Sequence, residues 1–161
     1  MDSQLEQFEE GLDRVNRALN HLTGVFLGRR GISMSRYRIL RYLQSRDEVN
    51  MSRMQGHLLV SGPTLTELVD GLVQGGLVQR VRDRGDRRMV FLQLTAAGRE
   101  VYREVLTFRC SCLTEALGGD TGLDGVNDLL NGVYTGLKRQ IEEPAGCKGP
   151  GGERCDKDFG C

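Results

Sequence analysis

Residues 52–98 read SRMQGHLLVSGPTLTELVDGLVQGGLVQRVRDRGDRRMVFLQLTAAG, and how this stretch divides decides the fold. Ser52-Arg53-Met54-Gln55 has the form of a capping box and predicts the start of a short helix. After Leu58-Leu59-Val60, Ser61 can cap a second helix, with Pro63 in its first turn where a missing N–H costs nothing. Leu65, Leu68, Val69, Leu72 and Val73 form its inward face, leaving Gly62, Pro63, Thr66, Glu67 and Asp70 outward. Gly75-Gly76 ends it. Two short helices across a tight turn are a helix-turn-helix. Val78 and Val81, then Val90, Leu92 and Leu94, follow strand alternation. Between them Asp83–Arg88 is a charged hairpin tip in which Gly85 is free to take a positive φ. The order predicts a winged helix.

Working outward, Ser33 can cap a helix through Tyr37, Ile39, Leu40 and Leu43. Thr95 can cap another through Val101, Val105, Phe108 and Leu113. Near the start, Leu5, Phe8, Leu12, Val15, Leu19, Leu22 and Phe26 alternate in steps of three and four, which predicts a long amphipathic helix with a narrow apolar seam. Leu123, Val126, Leu130, Val133, Leu137 and Ile141 repeat that rhythm near the end. The fold class expected is mainly α with a small β-hairpin wing, dimerised through the N- and C-terminal helices. Covering the domain's own core is the other use of those two stripes. The divisions are 1–30 (first dimerisation helix), 31–95 (winged helix-turn-helix), 96–142 (C-terminal dimerisation helices) and 143–161 (a cysteine-rich tail).

At 161 residues the chain is one ordinary domain in length, and its net charge is zero. The charges are not spread evenly. Residues 29–99 hold 13 basic groups, all arginine, against 6 acidic ones; residues 1–28 hold 2 against 5, and residues 100–161 hold 7 against 11. An arginine-only basic middle suits phosphates and guanine edges, for which a planar fork is the better donor. The first residues are acidic and polar, and no run approaches a membrane span, so a cytoplasmic protein without a membrane partner is expected.

The order of elements resembles the MarR family of bacterial transcription regulators over residues 1–142. DRGDRRMVFLQLTAAG is similar to the family's wing, with an Asp-Arg-Arg tip before a strand and Leu-Thr-x-x-Gly. SRMQGHLLVSGPTLTELVDGLVQGGLVQR is similar to its helix-turn-helix. The resemblance implies a triangular homodimer that binds a pseudo-palindromic operator in double-stranded DNA. It implies that Arg87 and Arg88 meet the minor groove and phosphates, that Asp86 orients one of them, and that Arg84 adds a phosphate contact. Ser61, Gly62, Pro63, Thr64 and Thr66 become the candidates for the major groove. None of these five is Arg, Asn or Gln, so thymine-methyl contacts, groove shape and half-site spacing are expected to carry specificity. Leu59 departs from the family's usual glycine in the turn, and the cysteine tail lies beyond the family pattern.

Five cysteines in a reducing compartment point to metal or redox chemistry rather than a disulfide framework. Cys147, Cys155 and Cys161 have no core to fill. Three thiolates there could hold an iron–sulfur cluster, with Cys110, Cys112, His57 or the partner chain as fourth ligand. A reversible thiol switch or soft-metal sensing is the next reading and plain zinc the third, because no CxxC pair occurs. Two helical steps rotate about 200°, so Cys110 and Cys112 point apart; taken singly, each reads as a small core hydrophobe. The function expected is a regulator, most simply a repressor, whose operator affinity follows the state of these cysteines. The alternative is a repressor released by a small aromatic or phenolic ligand, with the tail as a disulfide or zinc site. His21 and His57 stand apart and no nucleophile or nucleotide motif occurs, so no enzyme is expected.

Overall fold

The structure is a computed structural model and describes residues 3–46, 49–82, 90–119 and 122–142. It is mostly helical with a small antiparallel sheet: α1 (Ser3–Gly28), α2 (Met34–Gln44), β1 (Val49–Asn50), α3 (Met51–Leu58), α4 (Gly62–Gln74), β2 (Val78–Arg82), β3 (Val90–Leu94), α5 (Ala96–Ala116) and α6 (Asp124–Glu142). Two compact units divide between Ala116 and Leu117.

The helices start where local capping chemistry allows. The Ser33 hydroxyl accepts from the Arg36 N–H and opens α2, and the Ser61 hydroxyl accepts from the Thr64 N–H at 3.3 Å and opens α4. The capping box at Ser52 is not used. Asn50, held extended at the end of β1, accepts from the Arg53 N–H at 2.8 Å, so the cap lies two residues earlier, α3 begins at Met51 and Ser52 lies inside it. α4 ends as predicted at the glycine pair. Gly76 takes φ 69°, its N–H donates to the Val73 carbonyl, and the Leu77 N–H donates to that of Leu72 at 2.9 Å. That is a Schellman closure, which only a residue at ease with positive φ completes without strain.

The sheet order is β1-β3-β2, with Val49 opposite Leu92 and Val78 opposite Leu94. β1 was not expected from sequence. It brings Val49, fully buried, beneath the hairpin. The main core joins Ile39, Leu40 and Leu43 of α2, Met54 of α3, Leu65, Val69 and Leu72 of α4, and Val78, Leu92 and Leu94 of the sheet. Burying these side chains is worth roughly 1.5–3 kcal/mol each before entropy is set against it.

A second, smaller core ties the end of α1 to α5 through Leu27, Tyr37 and Val105. Phe26 stacks on Phe108 with ring centroids 4.4 Å apart, and the Arg30 guanidinium lies over the Phe26 ring while pairing with Glu104 at 2.8 Å. Thr23 is fully buried, and its hydroxyl accepts from Arg109 Nη1 at 3.0 Å. The heptad seam read along α1 is therefore only partly an inward face. Leu19, Thr23, Phe26 and Leu27 pack, whereas Leu5, Leu12, Val15 and Leu22 stay exposed. In α6, Val126, Leu130, Leu137 and Ile141 are exposed. Among the described residues no helix is long and apolar enough to cross a membrane.

Candidate nucleic-acid interface

The N-terminal end of α4 carries the candidates together. Ser61, Pro63, Thr64 and Thr66 are exposed and Gly62 is half-buried, all within a turn and a half. Their hydroxyls are already engaged in part. The Ser61 and Thr64 hydroxyls share a hydrogen bond of 2.7 Å, and Thr66 Oγ1 donates to the Gly62 carbonyl at 3.0 Å. These internal bonds engage part of the hydroxyls' hydrogen-bonding capacity. The free N–H groups and dipole of the helix start favour a phosphate alongside.

Two residues outside the recognition helix join this end. Gly62 sits so close to Gln55 that a Cβ there would lie 3.7 Å from Gln55 Oε1. Gln55 is exposed, and its amide is of the kind that reads adenine bidentately. Sequence reading missed it because its approach to Gly62 depends on how α3 packs on α4. Leu59 caps α3 with φ 52° and ψ 44°, the left-handed region, and its N–H donates to the Gln55 carbonyl at 3.0 Å. The turn keeps the geometry that a glycine would give, although a leucine stands there.

Behind α4 the sheet holds the hairpin in place. Arg80 of β2 pairs with Asp70 of α4, so recognition helix and wing strand share an ion pair. Arg82 is exposed at the end of β2. The tip residues Arg84, Asp86, Arg87 and Arg88 lie outside the described residues. At the base, Thr95 opens α5: its hydroxyl accepts from the Gly98 N–H at 3.0 Å and donates to the Gly76 carbonyl at 2.7 Å. One threonine thus clamps the α4 exit to the α5 start.

A cavity of about 430 Å³ lies between the α1–α2 connection, α4 and α5, lined by Arg30, Ile32, Arg36, Leu72, Leu77 and Glu104 among others. The half-buried Arg36 guanidinium rests on Gly71 in mid-α4, where a Cβ would fall 2.3 Å from its Nη2. No hydrogen-bond or ion-pair partner for that guanidinium occurs among the described residues. A cation in a cavity of mixed lining, with Ile32, Leu72 and Leu77 beside Arg30 and Glu104, suits a small aromatic acid or phenolate.

Hydrophobic packing, helix-turn-helix, paired wing strands and an arginine-rich surround now stand together. Residues 32–90 match the model of the MarR family. Over that stretch, just over a third of the chain, the protein is similar to MarR-family winged-helix transcriptional regulators. The HTH-type transcriptional regulator FarR of Neisseria gonorrhoeae is 28% identical over 123 residues, covering 74% of this chain and 84% of that one. The transcriptional regulator Tm0710 of Thermotoga maritima superposes with a TM-score of 0.68 at 25% identity, over 86% of this chain and 99% of the other. The S. aureus MepR F27L mutant, solved bound to an oligodeoxyribonucleotide, shares the fold with a TM-score of 0.61 at 16% identity, covering 83% and 97%.

The cysteines lie outside the helix-turn-helix. Cys110 is exposed and Cys112 half-buried, so neither is the core hydrophobe that its position on α5 predicted. The packed positions of α5, Val101, Tyr102, Val105 and Phe108, all precede the two cysteines. His57, the other possible ligand, stacks on Tyr42 at 4.1 Å, with Arg46 also over the Tyr42 ring. Partial desolvation pushes the pKa of the exposed His57 down, and Arg46 and Arg41 push it the same way. Among the described residues no group of three His, Cys, Asp or Glu side chains could hold a metal. Cys147, Cys155 and Cys161 lie outside the described residues.

Proposed function

We propose that the protein is a homodimeric, cytoplasmic transcriptional regulator that binds a pseudo-palindromic DNA operator and acts as a repressor. The observation that carries this reading is the exposed, capped N-terminal end of α4, tied through Asp70–Arg80 to an arginine-rich wing strand. Ser61–Thr66 enter the major groove, and Arg84, Arg87 and Arg88 follow the backbone into the flanking minor groove. The exposed apolar positions of α1 and α6 support the homodimer, since Leu5 and Ile141 are 65% and 79% exposed in the single chain. Half-sites then lie about one helical turn apart. Electrophoretic shift and sedimentation on the purified protein test this: a dimer that binds duplex DNA with steep salt dependence is expected. A monomer with no duplex affinity would end the proposal.

Control of that affinity we assign to the tail. Cys147, Cys155 and Cys161, with a fourth ligand from Cys110, Cys112, His57 or the partner, would hold an iron–sulfur cluster beside the dimerising helix. Oxidation or loss of such a cluster would change the spacing of the two α4 helices, linking effector and DNA reciprocally. Anaerobic purification followed by absorption spectroscopy, with iron and sulfide assays, tests the cluster directly. The cavity beside Arg36 favours a second reading, in which a small aromatic or phenolic acid releases the DNA and the tail is a disulfide switch or zinc site. Full response to such a ligand after deletion of residues 147–161 would select it.

A further inference from the structure

Leu59 is the single non-glycine residue with positive φ among those described. Its side chain is also 89% exposed, more than any other large apolar side chain described. Both facts count against it energetically. A left-handed backbone brings the leucine Cβ toward the following carbonyl, a cost that glycine or asparagine largely escapes. Exposure then forfeits what burial would return. Its neighbours show the contrast, since Leu58 and Val60 turn inward and pack on the main core. The fold uses the turn but not the side chain. Strain of this kind, held where the packing has no use for it, points to a role outside the fold.

Its place suggests which. Leu59 lies two residues before Ser61, the cap of α4, and on the same hydrogen-bonded turn as Gln55. It therefore stands at the rim of the surface formed by Gly62, Pro63, Thr64 and Thr66. On α4 itself that surface has no long donor, Gln55 of α3 supplying the one amide beside it, and its hydroxyls are partly engaged internally. A major groove presents one apolar group, the thymine C5 methyl.

We propose that Leu59 is a specificity-determining residue that packs against a thymine methyl in each half-site, aimed there by its left-handed backbone. The inference rests on the DNA-binding reading above.

The test begins with operator selection from random duplexes by the wild-type protein. Each thymine is then replaced by deoxyuridine, which removes the methyl alone, and binding is followed by fluorescence anisotropy for wild type, Leu59→Gly and Leu59→Asn. Both variants tolerate the left-handed turn, and Leu59→Gly should unfold at a higher temperature than wild type. Wild type should lose roughly fourfold in affinity per half-site at one thymine position, the worth of a buried methyl. Both variants should bind the thymine and deoxyuridine operators equally. Wild-type affinity and a wild-type thymine preference in Leu59→Gly would overturn the inference while leaving the DNA-binding reading intact. Failure of the wild-type protein to select any sequence would overturn both.

Discussion

Gly98 lies against the carbonyl of Leu77 so closely that a Cβ on it would fall 2.0 Å from that oxygen. The same oxygen accepts from the Thr95 N–H at 3.1 Å. The first turn of α5 is thus pressed onto the backbone that leads out of α4 into the wing. The Leu-Thr-x-x-Gly pattern has a physical reason here: threonine for the clamp, glycine for the approach.

Gly98→Ala must therefore move backbone rather than a side chain. It should cost about 1–3 kcal/mol, read as a lower urea midpoint with an unchanged slope. Thr95→Ala should cost about 1 kcal/mol through the lost cap.

The Asp70–Arg80 pair should matter more to DNA than to folding. Its side chains are 56% and 41% exposed, and exposed pairs contribute about 0–1 kcal/mol. Asp70→Asn should leave the melting temperature nearly unchanged. It frees Arg80 for a phosphate, so non-specific DNA affinity should rise and the salt slope steepen by about one. A salt slope unchanged from wild type in this variant would separate Arg80 from the DNA.

Gly71 offers a substitution with opposite effects on stability and response. Alanine there would meet only the tip of Arg36, a flexible group, and should gain about 0.5–1 kcal/mol of helix stability. The displaced guanidinium would no longer face the cavity. If an aromatic acid releases the DNA, Gly71→Ala should be more stable yet respond to it less, as a ligand titration of the DNA complex would show.

His57 gives a pH dependence with a defined sign. Its folded pKa lies below the ordinary 6.5 because of partial desolvation, with Arg46 and Arg41 adding to the effect. The unfolded chain therefore takes up the proton first as pH falls. The stability that neutral His57 supports is present above pH 6.5 and is lost progressively below it, down to the folded pKa. Urea midpoints from pH 7.5 to 5.5 should fall in the wild type and fall less in His57→Gln.

The parts of the fold that were legible rest on local chemistry. Ser33, Ser61 and Thr95 sit beside the helices they open, and Gly75-Gly76 closes α4 within its own last turn. Asn50 was missed because its extended backbone depends on β1 pairing with Phe91 and Leu92, far along the chain. Ser52 looked like the cap because the capping-box spacing is seen without that strand. The Arg109–Thr23 bond and the approach of Gln55 to Gly62 likewise need helices that meet only in three dimensions. The outward positions of the α4 candidates were readable, whereas Cys110 and Cys112 were misread because stripe continuity along a helix does not reveal where its partners end.

The most direct test of the central claim is selection from random duplex DNA by the full-length protein, followed by affinity measured between 50 and 200 mM salt. The account predicts one enriched pseudo-palindrome with half-sites about 10 base pairs apart. Its affinity should fall on the order of a thousandfold or more across that range. No enriched sequence, or binding indifferent to salt, would contradict it.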